Sequence, residues 1–286
     1  MWIVYALAAA LFAGMVSILT KIGIKNTDST LATALRTTVV LVFAWLMVFV
    51  VGSQDSVGSV DGRSLVFLLL SGAATGGSWL CYFKALQVGD VNKVVPVDKS
   101  STVLTMLLSF LLLGEAVTLL KIAAMLLIGI GTYLMIERKE ASSCGRAGRT
   151  WLFFALLSAI FASLTAILGK IGIEGVESNL GTAIRTVVVL VMAWAIVFAQ
   201  KKQTAIRAID KRSWVFLGLS GLATGLSWLC FYRALQEGPA GIVVPIDKLS
   251  IVVTVVFGYI VLREKLGRKS LAGLVMIVVG TLVLLV

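Results

Sequence analysis

Apolar residues along this chain gather into ten runs of about 20 residues, each long enough to cross the roughly 30 Å hydrocarbon core of a bilayer as a helix. The runs cover 2–24, 30–51, 64–87, 93–113 and 117–137, then 151–173, 179–199, 213–236, 242–262 and 268–286. Short segments between them hold most of the lysine and arginine. This pattern predicts an all-α integral membrane protein with ten transmembrane helices.

The runs are one unit written twice, and a repeat governs how everything else is read. A shift of about 149 residues lays the second half on the first without a gap. Trp2 falls on Trp151, Lys21 on Lys170, Arg36 on Arg185, Trp79 on Trp228, Asp98 on Asp247 and Glu115 on Glu264. The predicted organisation is a five-helix repeat at 1–137, a basic linker at 138–149 and a second five-helix repeat at 150–286. Five is odd, so the second repeat enters the membrane upside down. Many secondary transporters have this inverted layout, with the site near the midplane between repeats. A central cavity is therefore expected.

Loop charges agree with the inversion. The connection from Gly52 to Arg63 carries Asp55, Asp61 and one arginine, whereas its counterpart carries Lys201, Lys202, Arg207, Lys211 and Arg212. Positive loops are held in the cytoplasm. The linker, with Arg138, Lys139, Arg146 and Arg149, falls on the same basic side, as do Arg263, Lys265, Arg268 and Lys269. Both termini are then outside.

Composition narrows the classes. The chain is 59% hydrophobic and 14% charged, against about 45–50% and 25% for a soluble domain. The net charge of +11 would suit nucleic acid on a solvated face. Placed between apolar runs it sets topology, and no nucleic-acid partner is expected. Cys81, Cys144 and Cys230 form no disulfide framework, and the chain has no histidine. With no activated nucleophile or metal-ligand cluster, no enzyme activity, metal or cofactor is expected. The start Met-Trp-Ile-Val-Tyr lacks a basic n-region, so the first run reads as a retained helix.

Candidate chemistry centres on Val94-Val95-Pro96-Val97-Asp98-Lys99-Ser100-Ser101, which returns as Val243-Val244-Pro245-Ile246-Asp247-Lys248-Leu249-Ser250. Charges at such depth cost about 2.5–3.5 kcal/mol each on insertion scales and usually face a protein interior or a water-filled cavity. The bland alternative is snorkelling lysines and capping aspartates. Pro96 and Pro245 remove a backbone donor and loosen the helix; with Gly76 and Gly225 they are the candidate hinges. Arg36 and Arg185 sit more than a turn inside their helices. Their planar forks suit carboxylate or phosphate, the alternative being an Arg36–Asp98 type ion pair between helices. Lys21 lies near a membrane edge, where it could snorkel or reach a cavity.

The third helix bears two stripes, Gly72, Gly76, Trp79 and Phe83 beside Ser71, Thr75, Ser78 and Tyr82. Gly72 and Gly221 read as notches for close helix approach, while Trp79 and Trp228 fall mid-helix and suit a cavity wall. Asp98, Ser101, Thr102, Thr105 and Ser109 form a polar stripe on the fourth helix, kept in part as Asp247, Ser250 and Thr254. The candidate substrate set is therefore Arg36, Trp79, Tyr82, Asp98, Lys99 and Ser101 with Arg185, Trp228, Tyr232, Asp247, Lys248 and Ser250. Glu115 and Glu264 read as structural, each satisfying a helix N-terminus. Gly129, Gly131, Gly273 and Gly280 read as packing notches on peripheral helices.

The duplicated five-helix unit, with Ser-Trp-Leu-Cys and Val-Pro-x-Asp-Lys in each half, resembles the drug/metabolite transporter superfamily, and within it the EamA-type branch. Each half is similar to the half-length bacterial and archaeal members, which carry a like Ala-Pro-Ile-Asp-Lys-Leu-Ser stretch. The resemblance implies a basket-like bundle that opens its cavity alternately to each side, in a bacterial or archaeal cytoplasmic membrane. A single chain then suffices, because its two halves replace a dimer. Two features depart from relatives. The small multidrug-resistance proteins use a glutamate in the middle of the first helix, where this chain has Ser17 and no acid. Many EamA-type members keep their termini in the cytoplasm, opposite to the charge count here.

The function expected is secondary transport of a small polar solute. An excess of positive charge at membrane depth favours an anion or zwitterion, with the aspartates coupling protons or gating. Export of cationic or aromatic solutes, with the aspartates as counter-ions, is the alternative within the class. A channel or scaffold is the alternative outside it.

Overall fold

A computed structural model describes residues 1–23, 27–88, 91–135, 150–261 and 267–285. In order these form α1 (Trp2–Gly23), α2 (Ser29–Val51), α3 (Gly62–Val88), α4 (Val91–Lys99), α5 (Ser101–Leu112) and α6 (Leu119–Met135). The second half follows with α7 (Thr150–Gly172), α8 (Ser178–Ala199), α9 (Lys211–Glu237), α10 (Ala240–Asp247), α11 (Ser250–Val261) and α12 (Arg268–Val283). Single 3-10 turns at Gln54–Ser59 and Gln203–Ala208 follow α2 and α8. No strand occurs among the described residues.

Among the described residues seven spans are long and apolar enough to cross a membrane: α1, α2, α3, α7, α8, α9, and α10 with α11 read through to Phe257. The shorter apolar α6 makes an eighth candidate. Of the other two expected runs, 93–113 is interrupted at Ser100 between α4 and α5, and 268–286 holds the 16-residue α12, which opens on Arg268 and Lys269. Outer faces carry bare large apolar side chains such as Phe49, Leu111 and Val191, a surface suited to lipid rather than water. An outward hollow along α2, lined by Leu41, Trp45 and Phe49, belongs to that surface.

The halves interleave. α1 packs on α9 and α3 on α7, while α2 packs on α8 and α6 on α12, so each half finds its partners in the other. Equivalent helices run antiparallel. Asp28, at the start of α2, pairs with Lys202 just after α8 at 2.7 Å. At the other end Ser53, just after α2, donates to Glu177 at the start of α8 at 3.0 Å. α6 and α12 also cross in opposite senses: a Cβ on Gly131 would lie 2.7 Å from the Gly273 carbonyl, and one on Gly280 would lie 3.0 Å from that of Ala124.

Small residues set the spacing of the inner helices. In lipid there is no hydrophobic drive between helices, so association relies on backbones that approach closely. A Cβ on Gly72 would stand 2.7 Å from the Arg185 carbonyl, and one on Gly221 would stand 2.6 Å from Val39. Gly76 meets Met192 and Gly225 meets Phe43 in the same way. Both of these glycines lie inside unbroken helices. The backbone departs from α-geometry elsewhere, in the fourth span of each repeat. There α4 gives way to α5 at Ser100, and α10 to α11 at Lys248–Leu249. The second break tightens to i→i+3 bonding, from Lys248 N–H to the Pro245 carbonyl (3.1 Å) through Val252 N–H to that of Leu249 (2.8 Å). A mid-helix 3-10 stretch commonly marks a hinge or strain. Pro245 lies just upstream, in α10, and Pro96 holds the matching place in α4.

Asp28 caps α2, accepting the N–H groups of Thr30 at 3.0 Å and Leu31 at 3.2 Å. Burial alone would raise its carboxyl. The Lys202 ammonium and the two backbone donors outweigh burial and hold it below the usual carboxylate range. A depressed folded-state pKa contributes stability that is present above the unfolded pKa near 4 and lost as pH falls through the folded value. Acid unfolding curves should therefore separate wild type from Asp28→Ala at neutral pH, by about 1 kcal/mol for a lost cap, and converge at low pH.

Candidate functional site

A cavity of about 340 Å³ lies where α3, α5, α7, α8, α9 and α10 meet. Its polar wall combines Thr75 and Ser78 of α3, Ser101, Thr102 and Thr105 of α5, Thr165 of α7, Ser227 of α9, and Asp247 and Lys248 at the break of the second half. Trp79, Trp228 and Phe231 supply the apolar wall.

Arg185 is the most unusual member. It is 1% exposed and makes no ion pair among the described residues. One terminal nitrogen donates to Thr75 Oγ1 at 2.7 Å. The guanidinium lies over the Tyr232 ring at 4.5 Å and the Trp228 ring at 5.1 Å, an arrangement worth about 2 kcal/mol or more when desolvated. Its Nε has no partner among the described residues. Gly169 makes the aromatic stacking possible, because a Cβ there would lie 2.6 Å from Tyr232 Cε1.

Arg36, the twin of Arg185, is held differently. It is only partly buried, and its terminal nitrogen reaches Thr20 Oγ1 at 3.4 Å. Thr20 stands where the second repeat has Gly169. The Arg36–Asp98 pairing considered from sequence does not form; Asp98 instead accepts the Ser158 hydroxyl at 2.7 Å.

Of the candidate set, the structure brings Trp79, Ser101, Arg185, Trp228, Tyr232, Asp247 and Lys248 to one cavity. Arg36, Tyr82, Asp98, Lys99 and Ser250 lie off its wall. Tyr82 sits near Asp98, Lys99 lies within electrostatic reach of Lys248, Asp98 and Asp247, and the Ser250 carbonyl faces Gly14 of α1. Thr75, Ser78, Thr165 and Ser227 join the wall without having been in the set. Their signal was a hydroxyl within an apolar run, which by itself also fits back-bonding to the helix, and Thr75 and Thr165 do bond back to Ser71 and Phe161.

Two charged side chains hold helix ends away from the cavity wall. Lys170 donates to the carbonyls of Leu235 and, at 2.7 Å, of Gly238, closing the C-terminus of α9. Glu115 does satisfy a helix N-terminus, but that of α10 in the other repeat, accepting from Ala240 N–H at 2.6 Å and Gly241 N–H at 3.1 Å. Glu264, Cys144 and the linker lie outside the described residues, as does the Lys21 side chain. No group of metal-ligating side chains occurs among the described residues.

The polar cavity is walled by both halves of a multi-pass helical bundle. The model of the EamA-like transporter family matches residues 1–137 and again 149–286, and the chain belongs to that family. A relative from Sinorhizobium sp., named an uncharacterized transporter in the cobO 3′ region, is 48% identical over 138 residues, which is 48% of this chain and 98% of that protein. An uncharacterized transporter of Archaeoglobus fulgidus is 24% identical over 207 residues, covering 72% of this chain and 70% of its own. One crystal structure of a protein matches with a TM-score of 0.77 at 15% identity, over 99% of this chain and 96% of that one. At that identity the likeness is one of fold.

Proposed function

We propose that this transporter carries a small anionic or zwitterionic metabolite across the cytoplasmic membrane by alternating access. Ten spans form two inverted repeats, 1–137 and 150–286, joined by a cytoplasmic basic linker at 138–149, with both termini outside. The antiparallel course of α2 and α8 supports the inversion, and the loop charges support the orientation. One chain is the working unit, since both walls of the cavity come from it.

Arg185 carries the reading. A buried guanidinium without a carboxylate is costly, by several kcal/mol even after relaxation. Here it borders a cavity with room for a solute of roughly ten heavy atoms, taking about 30 Å³ of liquid volume per water. An anionic group entering the cavity supplies the missing charge.

Thermal unfolding of the purified chain against a panel of anions, zwitterions and cations tests this. A ligand at about 100 times its Kd stabilises by roughly 2.7 kcal/mol. Stabilisation by anions or zwitterions is expected. Stabilisation by cations alone would reverse the assignment.

A further inference from the structure

The two aspartates of the repeated motif occupy equivalent places but have unlike neighbours. Asp98 Oδ1 accepts the Ser158 hydroxyl at 2.7 Å. Ser158 is in turn held against α3, where Ser78 Oγ donates to the Ser158 carbonyl at 3.1 Å. Asp98 therefore belongs to a node joining α4, α7 and α3. Apolar contacts among Ala85, Val94 and Ala155 pack the same three helices together.

The second repeat keeps this backbone arrangement. Ser227, the twin of Ser78, donates to the Ala9 carbonyl at 3.0 Å. Ala9 is the twin of Ser158, however, and offers no hydroxyl. Asp247 is left on the cavity wall. Its nearest cation is Lys248 at 3.8 Å, longer than a hydrogen bond. One missing oxygen distinguishes the two sites.

We propose that the aspartates have divided the work. Asp98 is a positioning residue that ties the first broken span to α7. Asp247 is the carboxylate met by a positively charged group of the solute, opposite in charge to the Arg185 end of the same cavity. This rests on the cavity being the transport site. The chemistry follows from acceptor capacity: an ionised carboxylate offers about four lone-pair sites. Asp98 commits one of them to a short bond that fixes its rotamer, whereas Asp247 keeps its own for a ligand. A substituent at position 9 then controls how free Asp247 is.

The purified full chain, treated with a water-soluble carbodiimide and glycine ethyl ester, should label at Asp247 several-fold faster than at Asp98, as read by peptide mass spectrometry. Ser158→Ala should release Asp98 to label faster, and Ala9→Ser should slow Asp247. Equal labelling of the two aspartates, or indifference to both substitutions, would overturn the division. A zwitterion that stabilises the protein should also protect Asp247, while a purely anionic solute should not; protection by both alike would overturn the assignment of Asp247 to the solute's cationic group. If no solute of the panel stabilises the protein, the transport reading fails, and the labelling contrast still stands or falls by itself.

Discussion

With methionine at position 185, the protein should lose its stabilisation by anions and its uptake of them, yet unfold at the same or a higher temperature. The two effects have opposite signs because Arg185 is costly to the empty protein and needed by the loaded one. Exchanging a buried ionic group for an apolar side chain of similar volume is often neutral or stabilising, by about 1–4 kcal/mol. Against this stand the lost contacts with the Tyr232 and Trp228 rings, worth about 2 kcal/mol. Thr75 is not orphaned, since it also donates to the Ser71 carbonyl at 3.0 Å. Binding has no such offset. Each hydrogen bond to a charged group contributes about 1.5–3 kcal/mol, so losing even one weakens Kd by about tenfold or more. Arg185→Lys should fail nearly as badly, because an ammonium keeps the charge but not the planar fork. Arg36→Met should do much less, since Arg36 lies off the cavity wall. Titration of the best panel anion into all three variants measures this, and undiminished binding in Arg185→Met would remove the arginine from the site.

Much of this architecture was legible because it is written twice. Matching tryptophans, arginines and aspartates at one constant shift identified the repeat, and the equivalent helices α2 and α8 run antiparallel. Sequence was silent on which copy of each pair faces the cavity. Helical spacing put Tyr82 on the polar stripe of α3, yet the tyrosine in the wall is Tyr232, whose twin is Phe83. The deciding residue is Gly169 on a different helix, which clears the space for that ring. The Arg36–Asp98 pair failed for a similar reason: a hydroxyl stood within reach of each partner, Thr20 for one and Ser158 for the other. Gly76 and Gly225 looked like hinges beside tryptophans. Packed on Met192 and Phe43 they are close-contact residues, and the irregular backbone falls instead just beyond the prolines.

These differences share a pattern. The Sinorhizobium relative is matched over nearly its whole length by about half of this chain, so one repeat can be an entire protein. Two repeats in one chain can each take their own residue at Ala9 and Ser158, at Thr20 and Gly169, and at Phe83 and Tyr232. All three pairs bear on the cavity, two through an arginine or its stacking ring and one through an aspartate. The close contacts of Gly72 and Gly76, by comparison, are matched in the second repeat by Gly221 and Gly225.

Gly241→Val should stop uptake while leaving solute binding intact. Gly241 lies at the start of α10, where Glu115 reaches across from the other repeat to accept the Ala240 and Gly241 N–H groups. A Cβ at this position would lie 2.6 Å from Ser109 Oγ and 2.8 Å from Glu115 Oε2. Both of those atoms can move, but moving Glu115 breaks the cap. Lys170 closes the end of α9 on the other side of the same corner, so Glu115 and Lys170 together brace the Gly238–Pro239 turn, the candidate moving corner tested by this substitution. Two hydrogen bonds to a charged acceptor at about 1.5–3 kcal/mol each bias a closed state over an open one by a hundredfold or more. A transporter must populate both states within a cycle, and a ligand moves the balance only by its differential affinity. Valine at 241 displaces Glu115 and so blocks the capped state of this corner, although the arginine and aspartate of the cavity remain in place. Thermal shift should therefore still report the solute in Gly241→Val, while proteoliposomes containing it take up none. Uptake at the wild-type rate would show that this corner is a fixed part of the scaffold and that the moving end of the cavity lies elsewhere.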